Sequence, residues 1–143
     1  MNFSNITEDF AVTGQLAFND SWTVSGQGFG TVINCRPDGE KPGMMMAVQA
    51  GEGAAEHGME YHHIPVAMNG ISEAMVEEFA QALDAAKGPV LAYCASGRRA
   101  VILWAIVHAG KIAVAQIVSS CAQAGHDISQ LVPLLQHRAQ QAA

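Results

Sequence analysis

A cysteine and an arginine separated by four residues carry the first chemical signal in this sequence. They lie in Pro89-Val-Leu-Ala-Tyr-Cys94-Ala-Ser-Gly97-Arg98-Arg99-Ala100-Val-Ile-Leu-Trp104. A short apolar run ends at Cys94, and an almost wholly apolar segment starts behind Arg99, which is the order strand, loop, helix. A cysteine in such a loop sits over a helix amino end, where unpaired N–H groups and the helix dipole favour negative charge. An unperturbed thiol titrates at a pKa of about 8.5, and a helix amino end with adjacent arginines lowers that by one to several units. The chemistry expected is therefore that of a thiolate nucleophile in an anion-binding cradle. The competing reading is an ordinary buried cysteine followed by solvated arginines. Against it, two adjacent arginines are out of place at a helix amino end unless an anion is present.

The rest of the chain sets the frame for this loop. A length of 143 residues suits one domain, 1–143, with a core of its own. Half of the residues are apolar and 14% are charged, as in a compact globular chain and not a disordered one. A formal net charge of −6 argues against nucleic acid as a partner. Cys35, Cys94 and Cys121 form neither a disulfide framework nor a zinc pattern, so a reducing compartment is expected. The opening Met1-Asn-Phe-Ser-Asn-Ile-Thr-Glu-Asp lacks the regions of a secretory signal, and no run reaches membrane-spanning length. The expected setting is the cytoplasm, with no membrane partner.

Elements can be read around the loop in chain order. Phe10–Leu16 reads as a first strand. Asn19–Gly30, with Trp22, Val24 and Phe29 among glycines, reads as one irregular helical turn. Thr31–Cys35 is a strand, stopped by Arg36-Pro37-Asp38-Gly39. Met44–His57 reads as a helix interrupted by Gly51 and Gly53, with Met44, Met45 and Met46 packing it. Glu60–Val66 is a third strand, with Pro65 marking its end or a sheet edge. Ser72 caps a helix reaching about Lys87, with Met75, Val76, Phe79 and Leu83 as its buried stripe. Val90–Cys94 is the central strand, Ala100–Ala109 a buried helix, and helices at Ile112–Ala124 and about Leu131–Gln141 close the chain. Asp127 or Ser129 caps the last of these, with Pro133 near its start.

Strands alternating with helices imply an α/β fold, a mostly parallel central sheet flanked by helices. Ligands in such folds lie beyond the carboxyl ends of the strands. The loops after Cys35, Val66 and Cys94 should therefore converge.

Cys94-Ala-Ser-Gly-Arg-Arg99 behind Pro-Val-Leu-Ala-Tyr, with Thr-Val-Ile-Asn-Cys-Arg-Pro-Asp38 and His62-His-Ile-Pro-Val66 in that order, resembles one bacterial family. It is the beta-lactamase-hydrolase-like phosphatase domain family, also labelled in places as a sulfurtransferase. The resemblance runs from about residue 10 to the end of the chain. It implies a three-layer sandwich like that of the cysteine phosphatases. It also implies Cys94 as nucleophile and Arg99 as anion holder, with Ala95, Ser96, Gly97 and Arg98 supplying the loop N–H groups. In a phosphatase the thiolate attacks phosphorus, a phosphocysteine forms, and water releases phosphate.

Cysteine phosphatases as a superfamily have C-x5-R and commonly a histidine before the cysteine. This chain has C-x4-R, the spacing of rhodanese-like sulfurtransferases, and Tyr93. A proton for the leaving group usually comes from an aspartate on a neighbouring loop. Asp38 is the nearest candidate, although aspartate in a Pro-Asp-Gly turn serves the backbone equally well; Glu40 and Glu73 are weaker ones.

The remaining candidates divide as follows. His62 and His63 alternate across a strand, so at most one faces the site. The other histidines lie on separate elements, and neither a metal nor a cofactor is expected. Cys35 could approach Cys94 as a resolving thiol, or simply be buried; Cys121 is core.

The expected function is a cysteine-dependent phosphatase acting on a small phosphomonoester such as phosphotyrosine. The alternatives are a sulfurtransferase taking a sulfur-bearing substrate as a Cys94 persulfide, and a non-catalytic anion-binding or redox module. Apolar helices leave room for a homodimer face.

Overall fold

A computed structural model of the protein describes residues 2–142. Five strands form one sheet in the order β1-β2-β5-β3-β4. β2 (Phe10–Thr13), β5 (Val90–Tyr93), β3 (Thr31–Asn34) and β4 (Glu60–His63) run parallel, and β1 (Ser4–Thr7) pairs antiparallel with β2. β5 is central, as its unbroken burial suggests. The edge position of β4 agrees with the missing donor at Pro65.

β5 divides its side chains between two cores by simple alternation. Val90, Ala92 and Cys94 join the larger core, beneath α3 (Glu73–Ala85), α4 (Arg98–His108), α5 (Val114–Gln123) and α6 (Val132–Ala142). Leu91 and Tyr93 join the smaller one, beneath α1 (Asp20–Gly26) and α2 (Ala47–Glu56). The result is the three-layer sandwich. α4 is the central helix of the larger layer. Its Val101, Leu103 and Ala105 are wholly buried, and Trp104 stacks on Phe10 with ring centroids 6.0 Å apart. Burying each large apolar side chain stabilises by roughly 1.5–3 kcal/mol, so this layer fixes the helix that carries the cradle.

Several boundaries differ from the sequence reading. β1 was not foreseen, because Ser-Asn-Ile-Thr buries only Ile6 and has no strong alternation. The first expected strand stops at Thr13 instead of Leu16. The chain must turn there into the β2–α1 loop, where a Cβ on Gly14 would lie 3.0 Å from the Ala95 carbonyl oxygen. The third strand ends at His63, ahead of Pro65. α2 begins at Ala47, and of the three methionines before it only Met45 is buried. Its two glycines are packing devices: a Cβ on Gly51 would meet the Tyr61 ring at 3.2 Å, and one on Gly53 would meet Ser21 Oγ at 3.0 Å. Ser72 caps α3 as expected, accepting the Met75 N–H at 3.2 Å. Asp127 accepts the Ser129 N–H at 2.9 Å and so opens a short 3-10 turn, Ser129–Leu131, that leads into α6.

Candidate active site

α4 starts two residues earlier than its apolar pattern suggests. Gly97 is its N-cap, at φ 91°, so Arg98 and Arg99 both lie in the first turn. That backbone conformation favours glycine. Space demands glycine as well, since a Cβ there would stand 3.3 Å from the Thr13 carbonyl oxygen on β2. The chain therefore leaves β5 at Cys94, turns through Ala95, Ser96 and Gly97, and enters the helix with its first N–H groups aimed back toward the cysteine.

Cys94 is 1% exposed, and its Sγ accepts the Gly97 N–H at 3.1 Å. Arg99 donates from Nη1 to the Val66 carbonyl oxygen at 2.7 Å, which ties the cradle to the loop after β4. Glu40 accepts from Arg99 Nη1 at 2.8 Å and from Nη2 at 2.9 Å. The same carboxylate accepts from Arg36 Nε at 2.8 Å, while Arg36 Nη1 donates to Gln15 Oε1 at 3.1 Å. Hydrogen bonding to Arg99 is the main reason the Glu40 carboxyl is pulled from 4.5 down to about 2; burial opposes this and Arg36 adds to it. Arg99 is in turn pushed up, first by Glu40 against its own burial, and further by Cys94. Among the described residues Arg99 Nε makes no hydrogen bond to oxygen, and the guanidinium also interacts with the Cys94 side chain.

The three expected loops do converge, and a fourth joins them, the β2–α1 loop carrying Gln15. Sequence reasoning treated Glu40 only as a weak proton donor and did not single out Arg36 or Gln15. Their roles depend on pairing across 59 and 21 residues of chain, which no local spacing signals. Arg98 is brought to the cradle by its backbone. Its side chain turns away, donating from Nη1 to the Asp127 carbonyl oxygen at 2.9 Å.

Asp38 accepts the Ala47 N–H at 2.8 Å and so caps α2. Its charge is felt by Tyr61 and Tyr93, which belong to the α1–α2 side of the sheet. Glu73 pairs with Arg138 on α6. His63 Nε2 is engaged by the Arg36 carbonyl oxygen at 2.9 Å. Tyr93 stands where many cysteine phosphatases have histidine, but strand alternation sends its side chain to the face opposite Cys94. Its hydroxyl is pushed up chiefly by burial.

A cleft of about 530 Å³ opens beside the cradle at Ala95, between the β2–α1 and β3–α2 loops. Leu16, Phe18 and Met44 give it apolar walls, and Arg36 and Lys41 line it with positive charge. Phe18 is 57% exposed there. Four of the seven cationic side chains of this acidic chain, Arg36, Lys41, Arg98 and Arg99, lie on the cleft or the cradle loop. Two of these, Arg36 and Arg99, are paired with Glu40. Among the described residues there is no group of three or more His, Cys, Asp or Glu side chains able to hold a metal ion, and no helix is long and apolar enough to cross a membrane.

A parallel sheet whose central strand delivers a cysteine-to-arginine loop onto a buried helix defines a phosphatase-like domain of the cysteine phosphatase fold. Solved structures agree. A candidate phosphatase of Neisseria meningitidis superposes with a TM-score of 0.84 at 28% identity, covering 96% of this chain and 99% of that one. Tk-PTP in its active form gives 0.75 at 15% identity, covering 97% and 96%, a likeness of fold.

The family model of the beta-lactamase hydrolase-like protein, phosphatase-like domain, matches residues 2–111, and the chain belongs to that family. A beta-lactamase hydrolase-like protein of Agrobacterium fabrum is 40% identical over 106 residues, 74% of this chain and 25% of the relative. One of Xylella fastidiosa (strain 9a5c) is 30% identical over 141 residues, 97% of this chain and 33% of the relative. The chain thus spans a quarter to a third of these relatives' length.

Proposed function

We propose that this domain is a cysteine-dependent phosphatase whose nucleophile is Cys94 and whose anion clamp is Arg99 with the N–H groups of Ala95 to Arg99. The observation that carries the reading is the Gly97 N–H on Cys94 Sγ at the amino end of α4, with Arg99 anchored beside it. The thiolate attacks phosphorus in line, the bond to the leaving oxygen breaks, and a phosphocysteine remains until water cleaves it. Arg99 meets the phosphoryl oxygens beside Cys94 while Glu40 holds its Nη1 and Nη2, so Glu40 is a positioning residue. Fixed between two arginines, Glu40 stays ionised at neutral pH and has no proton to give. Asp38 would have to leave Ala47 to act as the acid.

Substrates whose leaving group departs without a proton are therefore favoured: acidic aryl phosphates turn over ahead of phosphotyrosine, whose phenoxide, with a pKa of about 10, leaves slowly without a proton donor. The cleft beside Ala95 takes the aromatic group against Phe18 and Leu16 and any second acidic group near Lys41. The test is a series of aryl phosphates of graded leaving-group acidity. Turnover should rise steeply with acidity, be inhibited by vanadate, and fall by about 10³-fold or more in Cys94→Ser. Failure to release phosphate from any of the series at any pH would overturn the reading.

A second reading is favoured by one specific observation, the four-residue loop without a proton donor. Cys94 thiolate attacking the outer sulfur of thiosulfate breaks the sulfur–sulfur bond, expels sulfite, and leaves a Cys94 persulfide. Sulfite needs no proton to depart. Mass spectrometry after thiosulfate treatment should then show one added sulfur on Cys94, and an unchanged mass would dismiss this alternative.

A further inference from the structure

The cleft beside the cradle joins two kinds of wall. Leu16, Phe18, Met44 and Met45 are apolar, Arg36 and Lys41 are cationic, and Ala95, the first residue of the cradle after Cys94, lines it as well. Its volume of about 530 Å³ lies within the range of about 300–1,000 Å³ usual for small-molecule sites. Arg36 is bound to Glu40 and Gln15, whereas Lys41 makes no ion pair among the described residues. Leu16, Ala17, Phe18 and Met45 also line a narrower apolar recess beneath α1 and α2, so the apolar wall continues past the cleft. A ligand lying here has its anionic end at Ala95 and an apolar body along Leu16 and Phe18.

We propose that the substrate is an acyl phosphate, the mixed anhydride of phosphoric acid and an apolar carboxylic acid, an inference that rests on the phosphatase reading above. Cys94 thiolate attacks phosphorus, the phosphorus–oxygen bond to the acyl group breaks, and the carboxylate departs with the bonding pair. Water then attacks the phosphocysteine, the phosphorus–sulfur bond breaks, and the thiolate and dihydrogen phosphate are released. No oxidant and no second substrate enters.

Two observations select this class. The first concerns the proton: Glu40 is held between two arginines and Asp38 caps α2, so the β3–α2 loop has no acid to offer. A carboxylate leaving group belongs to an acid of pKa about 4, against about 10 for a phenol, and it departs unaided. The second is the cleft. The departing carboxylate carries its charge on two oxygens, and Lys41 is the unpaired cation on the cleft that can meet it. The hydrocarbon part lies on Leu16, Met44 and Met45, whose methionines adapt to chains of different length. Phe18 is largely exposed, and such a chain covers it. A compact leaving group such as acetate leaves these walls bare.

The experiment measures phosphate release by the full chain from acetyl, butanoyl and octanoyl phosphate. Each rate is corrected by that of Cys94→Ser, because these anhydrides also hydrolyse in water. The native kcat/KM should rise by up to about four-fold for each methylene that the cleft covers, and octanoyl phosphate should exceed acetyl phosphate by at least about 10-fold. Phe18→Ser should shrink that ratio, and the native series decides even where this variant does not fold. Mass spectrometry of the quenched native reaction should show one phosphoryl group on Cys94. An acyl thioester there would mean attack at the carbonyl carbon and would overturn the proposal, as would an equal kcat/KM for all three lengths. Acidic aryl phosphates turned over with acyl phosphates untouched would reject the acyl phosphate and leave the phosphatase reading standing. If neither class turns over, both fall.

Discussion

The β5–α4 loop and the β3–α2 loop meet at the same guanidinium and are built on opposite principles. The first is made of backbone. Four residues, one glycine at φ 91° and a helix amino end create the cradle, and its two outer side chains, Ala95 and Ser96, are exposed. The second is made of side chains. Arg36, Asp38 and Glu40 each reach a distant partner, namely Gln15, Ala47 and Arg99. A backbone device is local, so its parts lie together in sequence. A side-chain device is assembled by the fold, and its parts do not.

The largest break in this comparison comes from Arg99, where the two loops join. Arg99→Lys keeps the charge but loses the planar fork that holds Glu40, Val66 and an incoming anion together. Turnover of an aryl phosphate should fall by about 10²-fold, with vanadate affinity falling alongside it. Retention of native kcat/KM in this variant would mean that charge alone does the work.

Gly97→Ala attacks the backbone device directly. Alanine at φ 91°, with its Cβ 3.3 Å from the Thr13 carbonyl oxygen, should destabilise the domain by about 1–3 kcal/mol, read as a lowered Tm. No change in Tm would show that the loop relaxes at no cost, contrary to a cradle fixed by its own geometry.

The difference between the loops also explains what was legible in advance. The parallel strands with β5 at the centre, the capping of α3 by Ser72 and the apolar run of α4 follow from apolar runs, helical spacing and turn chemistry, which neighbouring residues determine together, whereas the order of the strands around β5 emerges only in the fold. β1 escaped because its pairing with β2, and not its own pattern, makes it a strand. The start of α4 was placed late because Arg98 and Arg99 interrupt the apolar pattern that continues from Ala100. In the site, Cys94, Arg99 and Gly97 announce themselves within six residues, whereas Glu40 looked like a proton donor until its two arginines were in place.

Glu40→Gln sharpens the side-chain device. Its effect on turnover should be modest, a few-fold loss in kcat, because Val66 still holds Arg99. The signature lies in pH. The folded chain keeps Glu40 ionised down to about 2, whereas an ordinary glutamate titrates at 4.5. The unfolded chain therefore takes up the proton first as pH falls. The stabilisation from Glu40 is complete above 4.5 and drains away toward 2. The Tm gap between the native chain and Glu40→Gln should be level from neutral pH down to that upper bound and close below it. Salt should narrow the gap at neutral pH, because the carboxylate side chain is 20% exposed. A gap of constant size across the whole range would remove the ion pair from the account.

The smallest effect expected on turnover is that of Asp38→Asn, and it bears on which loop controls the proton. If Asp38 leaves Ala47 to protonate a leaving alkoxide, the variant should lose most activity toward alkyl phosphates and little toward acidic aryl phosphates. If it stays on Ala47, where it caps α2, both substrate classes should lose equally little. The asparagine side-chain oxygen can still accept that N–H, so Tm should fall by no more than about 1 kcal/mol equivalent. The geometry favours the second outcome, because the Asp38 carboxylate already serves a helix start on the α1–α2 side of the sheet while Cys94 faces the other core. A selective loss toward poor leaving groups would instead make the β3–α2 loop a moving part of the reaction, and the contrast with the fixed backbone cradle would become one of motion as well as of construction.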